Sequence, residues 1–128
     1  MHNLLILDGA MGTMLQAAGM KAGEHPEVFG FDNPDIVKNI HLKYIESGSN
    51  VIYTNTFGAN AHKLEGCKID VDTAVKTAIN SAKKAVAESK RDVKIALDIG
   101  PIGELLEPLG VLRFEDAYEI YKEMVIAG

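Results

Sequence analysis

Residues 4–15 read Leu4-Leu5-Ile6-Leu7-Asp8-Gly9-Ala10-Met11-Gly12-Thr13-Met14-Leu15, and this stretch decides the fold. Four apolar residues run straight into an acid, two glycines and a hydroxyl, and then into a segment of helical character. The run is short enough for a strand and has no polar alternation, the pattern of a parallel strand covered on both faces. Gly9 and Gly12 let the backbone turn sharply and approach a small ligand closely. Free N–H groups at the following helix start offer a place for an anionic group such as a carboxylate. Taken alone, the stretch is equally compatible with an ordinary strand-to-helix turn.

The same pattern recurs twice. Asn50-Val51-Ile52-Tyr53-Thr54 is a second strand candidate, ending in Asn55-Thr56-Phe57-Gly58; Val93-Lys94-Ile95-Ala96-Leu97 is a third, ending in Asp98-Ile99-Gly100-Pro101. Helical signals separate them. Asn33-Pro34 places a capping side chain before a proline at the first helical position. Ile36, Val37, Ile40, Tyr44 and Ile45 follow as an apolar stripe that Gly48 stops. Asp72 is the expected cap of a second long helix, with Val75, Ala78, Ile79, Ala82 and Val86 facing inward. Phe114 to Ala127 forms a third, with Ala117, Ile120, Tyr121, Met124 and Val125 at helical spacing. Three strand-then-helix units predict an α/β fold with a parallel sheet and right-handed crossovers.

Composition bounds the function. The 128 residues make one domain without an internal boundary, and 47% apolar with 24% charged residues is ordinary for a globular protein. A net charge of -5 gives no clustered positive charge for nucleic acid or a membrane surface. No apolar run of about 18 residues is present, so no membrane-spanning helix is expected. Cys67 is the single cysteine, which excludes an internal disulfide and makes the cytoplasm the expected compartment. Three strands are few, since a closed α/β barrel has eight in roughly 250 residues. The open sheet edges predict either a larger whole or self-association.

Ligands of parallel α/β folds sit outside the carboxyl ends of the strands. All three ends here are polar: Asp8-Gly9, Thr54-Asn55-Thr56, and Asp98 with Gly100. Together they predict a shared polar mouth; the competing reading is that these side chains only satisfy local turn backbone. No phosphate-binding glycine motif is present. His2, His25, His41 and His62 lie at no ligand-like spacing, so surface or packing roles are expected. Cys67 follows Gly66 in a polar loop as an idle thiol, and Met11, Met14 and Met20 fill core gaps.

Several of these segments carry a resemblance. Leu7-Asp8-Gly9-Ala10-Met11-Gly12-Thr13, Asn33-Pro34, Tyr53-Thr54-Asn55-Thr56-Phe57-Gly58-Ala59-Asn60 and Ile99-Gly100-Pro101 occur in the order and spacing of homocysteine S-methyltransferase domains. The segment from Gly103 to Gly110, leading into Phe114-Glu115-Asp116-Ala117-Tyr118, resembles the cobalamin-dependent methionine synthase branch. Gly58, where betaine-using relatives carry an aromatic residue, points the same way. Asp98 is a departure, since a small residue such as Ser is common there.

The resemblance implies the first three βα units of a (β/α)8 barrel of TIM type that binds homocysteine and, in the full-length family, uses zinc and cobalamin. Zinc there ionises the homocysteine thiol, which attacks the methyl group of methylcobalamin. By position, Asp8, Gly9 and Ala10 line the homocysteine pocket; Asn55, Thr56 and Phe57 add polar contacts and a wall; Asp98 and Gly100 contribute from the third strand end. The family's zinc-ligand cysteines come from late strands, and Cys67 matches none of them. The expectation is therefore a substrate-holding part with no metal or cofactor of its own and no methyl transfer alone. The alternative is a non-catalytic α/β fragment that self-associates through its sheet edges.

Overall fold

The computed structural model describes residues 4–128; His2 lies outside the described residues. The elements run α1 (Gly12–Ala17), α2 (Pro26–Asp32), α3 (Pro34–Glu46), β1 (Val51–Tyr53), α4 (Val71–Ser89), β2 (Lys94–Ala96) and α5 (Phe114–Ala127). Strands β1 and β2 pair in parallel, with Val51 opposite Lys94, Ile52 opposite Ile95 and Tyr53 opposite Ala96. The first expected strand, Leu4 to Leu7, is an extended segment joined to β1 by one parallel bridge, Leu7 to Val51. It lies on the opposite side of β1 from β2, so the three expected strands stand side by side in chain order.

Asn50 explains how that first segment is held. Its side-chain oxygen accepts the Ile6 amide at 2.7 Å, and its amide group donates to the Leu4 carbonyl at 3.1 Å. The Ile6 carbonyl accepts the Asn50 and Val51 amides, and Asp8 N–H donates to the Val51 carbonyl. The expectation that this run is covered on both faces fails, because Leu4 is 73% exposed and Leu7 50%. It forms the edge of the sheet, and among the described residues nothing packs over its outer side.

Helix α3 begins at Pro34 as expected, but Asn33 makes no side-chain cap. Its amide instead reaches back to the Phe29 carbonyl at 3.0 Å, closing the end of α2. The cap of α4 is Asp70, two residues before the expected Asp72. Asp70 accepts the Thr73 amide at 2.8 Å, while Asp72 pairs with Lys76 one turn on. Val71, first in the helix and 3% exposed, must enter the core, which fixes the earlier start. Helix α5 has the expected bounds, with Ala117 and Met124 buried, but Val125 of its expected inner stripe is exposed.

The core is built where α3 and α4 lie against the sheet. Ile45, Ile52, Ala82, Ala85 and Val93 form one cluster, and the two alanines of α4 let the helix backbone come close. A second cluster joins the loop after β1 to α4 and α5 through Ala59, Leu64, Val75 and Met124. A third, of Leu15, Met20, Val37 and Ile40, takes Met11 and Met14 at its margin, so the methionines do fill core gaps. His41 is fully buried on α3 with neither ring nitrogen hydrogen-bonded among the described residues.

Two outcomes follow for stability. Ile52 has no exposed surface, so Ile52→Ala should cost roughly 2–5 kcal/mol in urea unfolding, whereas Leu109→Ala at an 86% exposed site should change little. Burial lowers the His41 pKa from 6.5 to about 4, so the unfolded chain binds the extra proton first. Stability is then full above pH 6.5 and falls as the pH drops towards 4, by roughly 3 kcal/mol for this group. Unfolding measured across that window should lose this slope in His41→Leu.

Candidate functional site

The three strand ends do meet. A cavity of about 420 Å³ opens between them, lined by Asp8, Gly9, Ala10, Met11 and Gly12 from the first, Tyr53 to Phe57 from the second, Asp98 from the third, and Pro26. Seven of the eight expected residues border it. Gly100 does not; it lies beneath Phe57, where a Cβ would fall 2.3 Å from the Phe57 carbonyl oxygen and 2.8 Å from its ring. Its absent side chain lets the aromatic wall sit close to the third strand end.

The second and third strand ends are locked by a closed ring of hydrogen bonds. Thr56 donates its hydroxyl to the Asp98 carbonyl at 2.7 Å, which fixes the direction of the rest. Thr54 must then donate to Thr56, 2.7 Å away, and its oxygen accepts the Asp98 amide at 3.2 Å. Both threonines are buried, and each has spent its one hydroxyl proton. Thr56 therefore shapes the site and has no hydroxyl proton to donate to a ligand. This is the local-turn role weighed for these residues, realised between two strands.

Asn55 is tied to α2 through its amide group. Its amide donates to the Pro26 carbonyl at 2.8 Å, and the Gly58 amide donates to Glu27 at 2.6 Å. These bonds fasten α2 across the mouth. Glu27 is only 4% exposed, and a Cβ on Gly58 would sit 3.1 Å from its carboxylate. A side chain at that position would crowd this buried acid.

Asp8 and Asp98 supply the charge. One Asp8 oxygen accepts the Tyr53 amide at 3.0 Å, tying the first strand end to β1. Burial pushes the Asp8 carboxyl above its ordinary 3.8, and the nearby Asp98 charge adds to this, while backbone amides pull it back. Burial also raises Asp98. Among the described residues, no lysine, arginine or histidine lines the cavity. Phe57 is half exposed as a wall, with the Lys63 ammonium 5.3 Å from its ring centre on the outside.

The donor set does not fit a zinc ion held by cysteine thiolates. Cys67 borders a separate cavity with Glu24, His25, Val28, Phe29, Asp32 and Lys68. Among the described residues, no cluster of three His, Cys, Asp or Glu could hold a metal. His25 helps line that second cavity, and His62 sits 3.6 Å from Glu104, so neither reaches the strand-end mouth.

Gly12 and Thr54, read as part of the strand ends, border the cavity too, and Met11, Pro26 and Tyr53 do so without having been expected there. Each is next to a motif residue or on α2. The signal for α2 was present as His25-Pro26, a proline at a first helical position.

A glycine-lined, acidic mouth at the carboxyl ends of parallel strands is the place where α/β folds bind small molecules. The chain matches the homocysteine S-methyltransferase family over residues 5–127 and belongs to that family. It is 37% identical to methionine synthase of Mycobacterium tuberculosis (strain ATCC 25618 / H37Rv) in a match covering 49% of this chain and 6% of that protein. Methionine synthase of Mycobacterium leprae (strain TN) is 36% identical with the same coverage. The fold is shared with the metallated homocysteine methyltransferase MmuM from Escherichia coli, at TM-score 0.81 and 21% identity over 98% of this chain and 50% of that one. The chain thus spans half of that structure and a small part of the methionine synthases.

The hydroxyl ring gives a direct test of the site's frame. Thr56→Val leaves the Asp98 carbonyl without its donor and should cost about 1–3 kcal/mol in chemical unfolding. Thr56→Ser keeps the hydroxyl and should recover most of that loss.

Proposed function

We propose that this chain supplies the first three βα units of a (β/α)8 barrel and holds homocysteine at their carboxyl ends. The reaction served is methyl transfer from methylcobalamin to homocysteine, giving methionine. The observation that carries this reading is the convergence of Asp8, Gly9, Ala10, Asn55, Thr56, Phe57 and Asp98 on one cavity.

The chemistry of the lining favours a zwitterionic amino acid. The Asp8 and Asp98 carboxylates receive the ammonium group. The substrate carboxylate goes to the loop amides of Gly9, Ala10 and Met11, which donate to no backbone carbonyl among the described residues. The thiol-bearing arm lies along Phe57. Gly100 acts through its packing on that ring. Two carboxylates disfavour a thiolate beside them, and among the described residues no basic group at the cavity offsets this. In this reading zinc, cobalamin and the ionisation of the thiol belong to the full-length family, outside this chain's residues. A cytoplasmic compartment accords with the single cysteine; among the described residues, no helix is long and apolar enough to cross a membrane.

Exposure of Leu4, Leu5, Ile6 and Leu7 on the sheet edge supports a second reading, a non-catalytic fragment that self-associates there. Light scattering decides it: dimers or larger species support edge pairing, and a clean monomer counts against it.

Given homocysteine, methylcobalamin and zinc, the chain should make no methionine above background; metal-dependent turnover would overturn the inactivity. Calorimetry should nevertheless show homocysteine binding, weakened roughly tenfold to a hundredfold by Asp8→Asn, as for a lost hydrogen bond to a charged group. Affinity should also fall as the pH drops through the raised Asp8 pKa, at a pH above 3.8.

A further inference from the structure

We propose that Tyr44, which is not among the residues lining the cavity, sets the Ala10–Met11 peptide so that the Met11 amide meets the ligand's carboxylate. This rests on the homocysteine-binding reading and assigns the carboxylate half of the site to one residue of α3. The Tyr44 hydroxyl donates to the Ala10 carbonyl at 2.7 Å. A trans peptide is planar, so its carbonyl and the following N–H point in opposite directions. Drawing the Ala10 carbonyl towards α3 therefore turns the Met11 N–H away from α3. That amide donates to no backbone carbonyl among the described residues, and Met11 itself borders the cavity.

A second contact makes the placement specific. Gly9 lies on the Tyr44 ring: a Cβ there would be 2.9 Å from Cε1, 3.0 Å from the hydroxyl oxygen and 3.2 Å from Cζ. The ring fills the space that any side chain at position 9 would need. The turn leaving α3 secures the loop from its other end as well. The Tyr44 carbonyl accepts the Ser49 amide at 3.1 Å, and the Ser49 hydroxyl donates to the Leu7 carbonyl at 3.3 Å. Asp8 and Gly9 are thus suspended between two anchors, Leu7 and Ala10, both gripped from the α3 end. Gly9 and Ala10 are exposed, so a loop without these grips would be free to reorient.

The test compares two ligands in the 128-residue protein: L-homocysteine and 3-amino-1-propanethiol, the same molecule without its carboxylate. Tyr44→Phe keeps the ring and removes only the hydroxyl. The expected result is homocysteine binding weakened about fivefold or more, the scale of one net hydrogen bond, with the decarboxylated analogue changed by less than about twofold. Gly9→Ala, which pushes on the ring, should reproduce that carboxylate-selective loss and serves if Tyr44→Phe does not fold. Equal weakening of both ligands would show a merely structural role and overturn the proposal, as would no change in either. If the unmodified protein binds neither ligand, the homocysteine reading fails, and amide hydrogen exchange then decides the role of Tyr44. Faster exchange at Ala10 and Met11 in Tyr44→Phe, with Ile52 unchanged, supports the positioning; unchanged exchange there overturns it.

Discussion

Parallel pairing on both sides of Val51–Tyr53 is the constraint on which the rest of the molecule depends. Among the described residues, β1 alone is bonded on both sides, through Ile6 and Asp8 on one and β2 on the other. Because all three run the same way, their polar ends arrive at one level. Chain direction alone therefore gathers Asp8, Thr54 to Phe57 and Asp98, residues up to ninety positions apart in the sequence. Side-chain bonds then cross-link the level: Asp8 to the Tyr53 amide, and the two threonines to Asp98.

Much of the polarity at the mouth serves as framework. Thr54 and Thr56 spend their hydroxyl protons within the frame, and Asn55 donates to Pro26. A ligand also meets the pair of carboxylates, the loop amides and the Phe57 face. Burial raises the carboxyl pKa of both acids, a cost of holding negative charge without a basic partner at the cavity. An ammonium group would relieve that cost, which is the electrostatic ground for the amino-acid ligand proposed above.

The fold was legible where the sequence pattern and the dominant local force agree. Helix α5 has the bounds its apolar spacing indicated, and β1 and β2 fall inside their expected apolar runs. Departures occur where tertiary contacts choose between equivalent local options. Asp70 and Asp72 are both competent caps, and the burial of Val71 selects the first. Asn33 could close either of two helices and closes α2. The charged run from Lys83 to Asp92 reads as a solvated helix face and its exit, but no glycine marks the exact end of α4, because Lys90 takes the left-handed conformation there. At the site, residue positions were legible from the strand ends, but side-chain allegiance was not. Whether Thr56 faces a ligand or the Asp98 carbonyl depends on how β1 and β2 register. Tyr44 sits in the expected apolar stripe of α3, where nothing in the spacing separates a core residue from one that reaches a loop.

The central claim is that the three strand ends of this chain form one ligand site for homocysteine. Mapping amide shifts during an L-homocysteine titration of the isotope-labelled protein tests it most directly. The account predicts saturable shifts at Gly9, Ala10, Met11, Phe57 and Asp98 together, with the Cys67–Lys68 cavity silent. Shifts confined to Cys67 and Lys68, or none at the strand ends at saturating ligand, would contradict it.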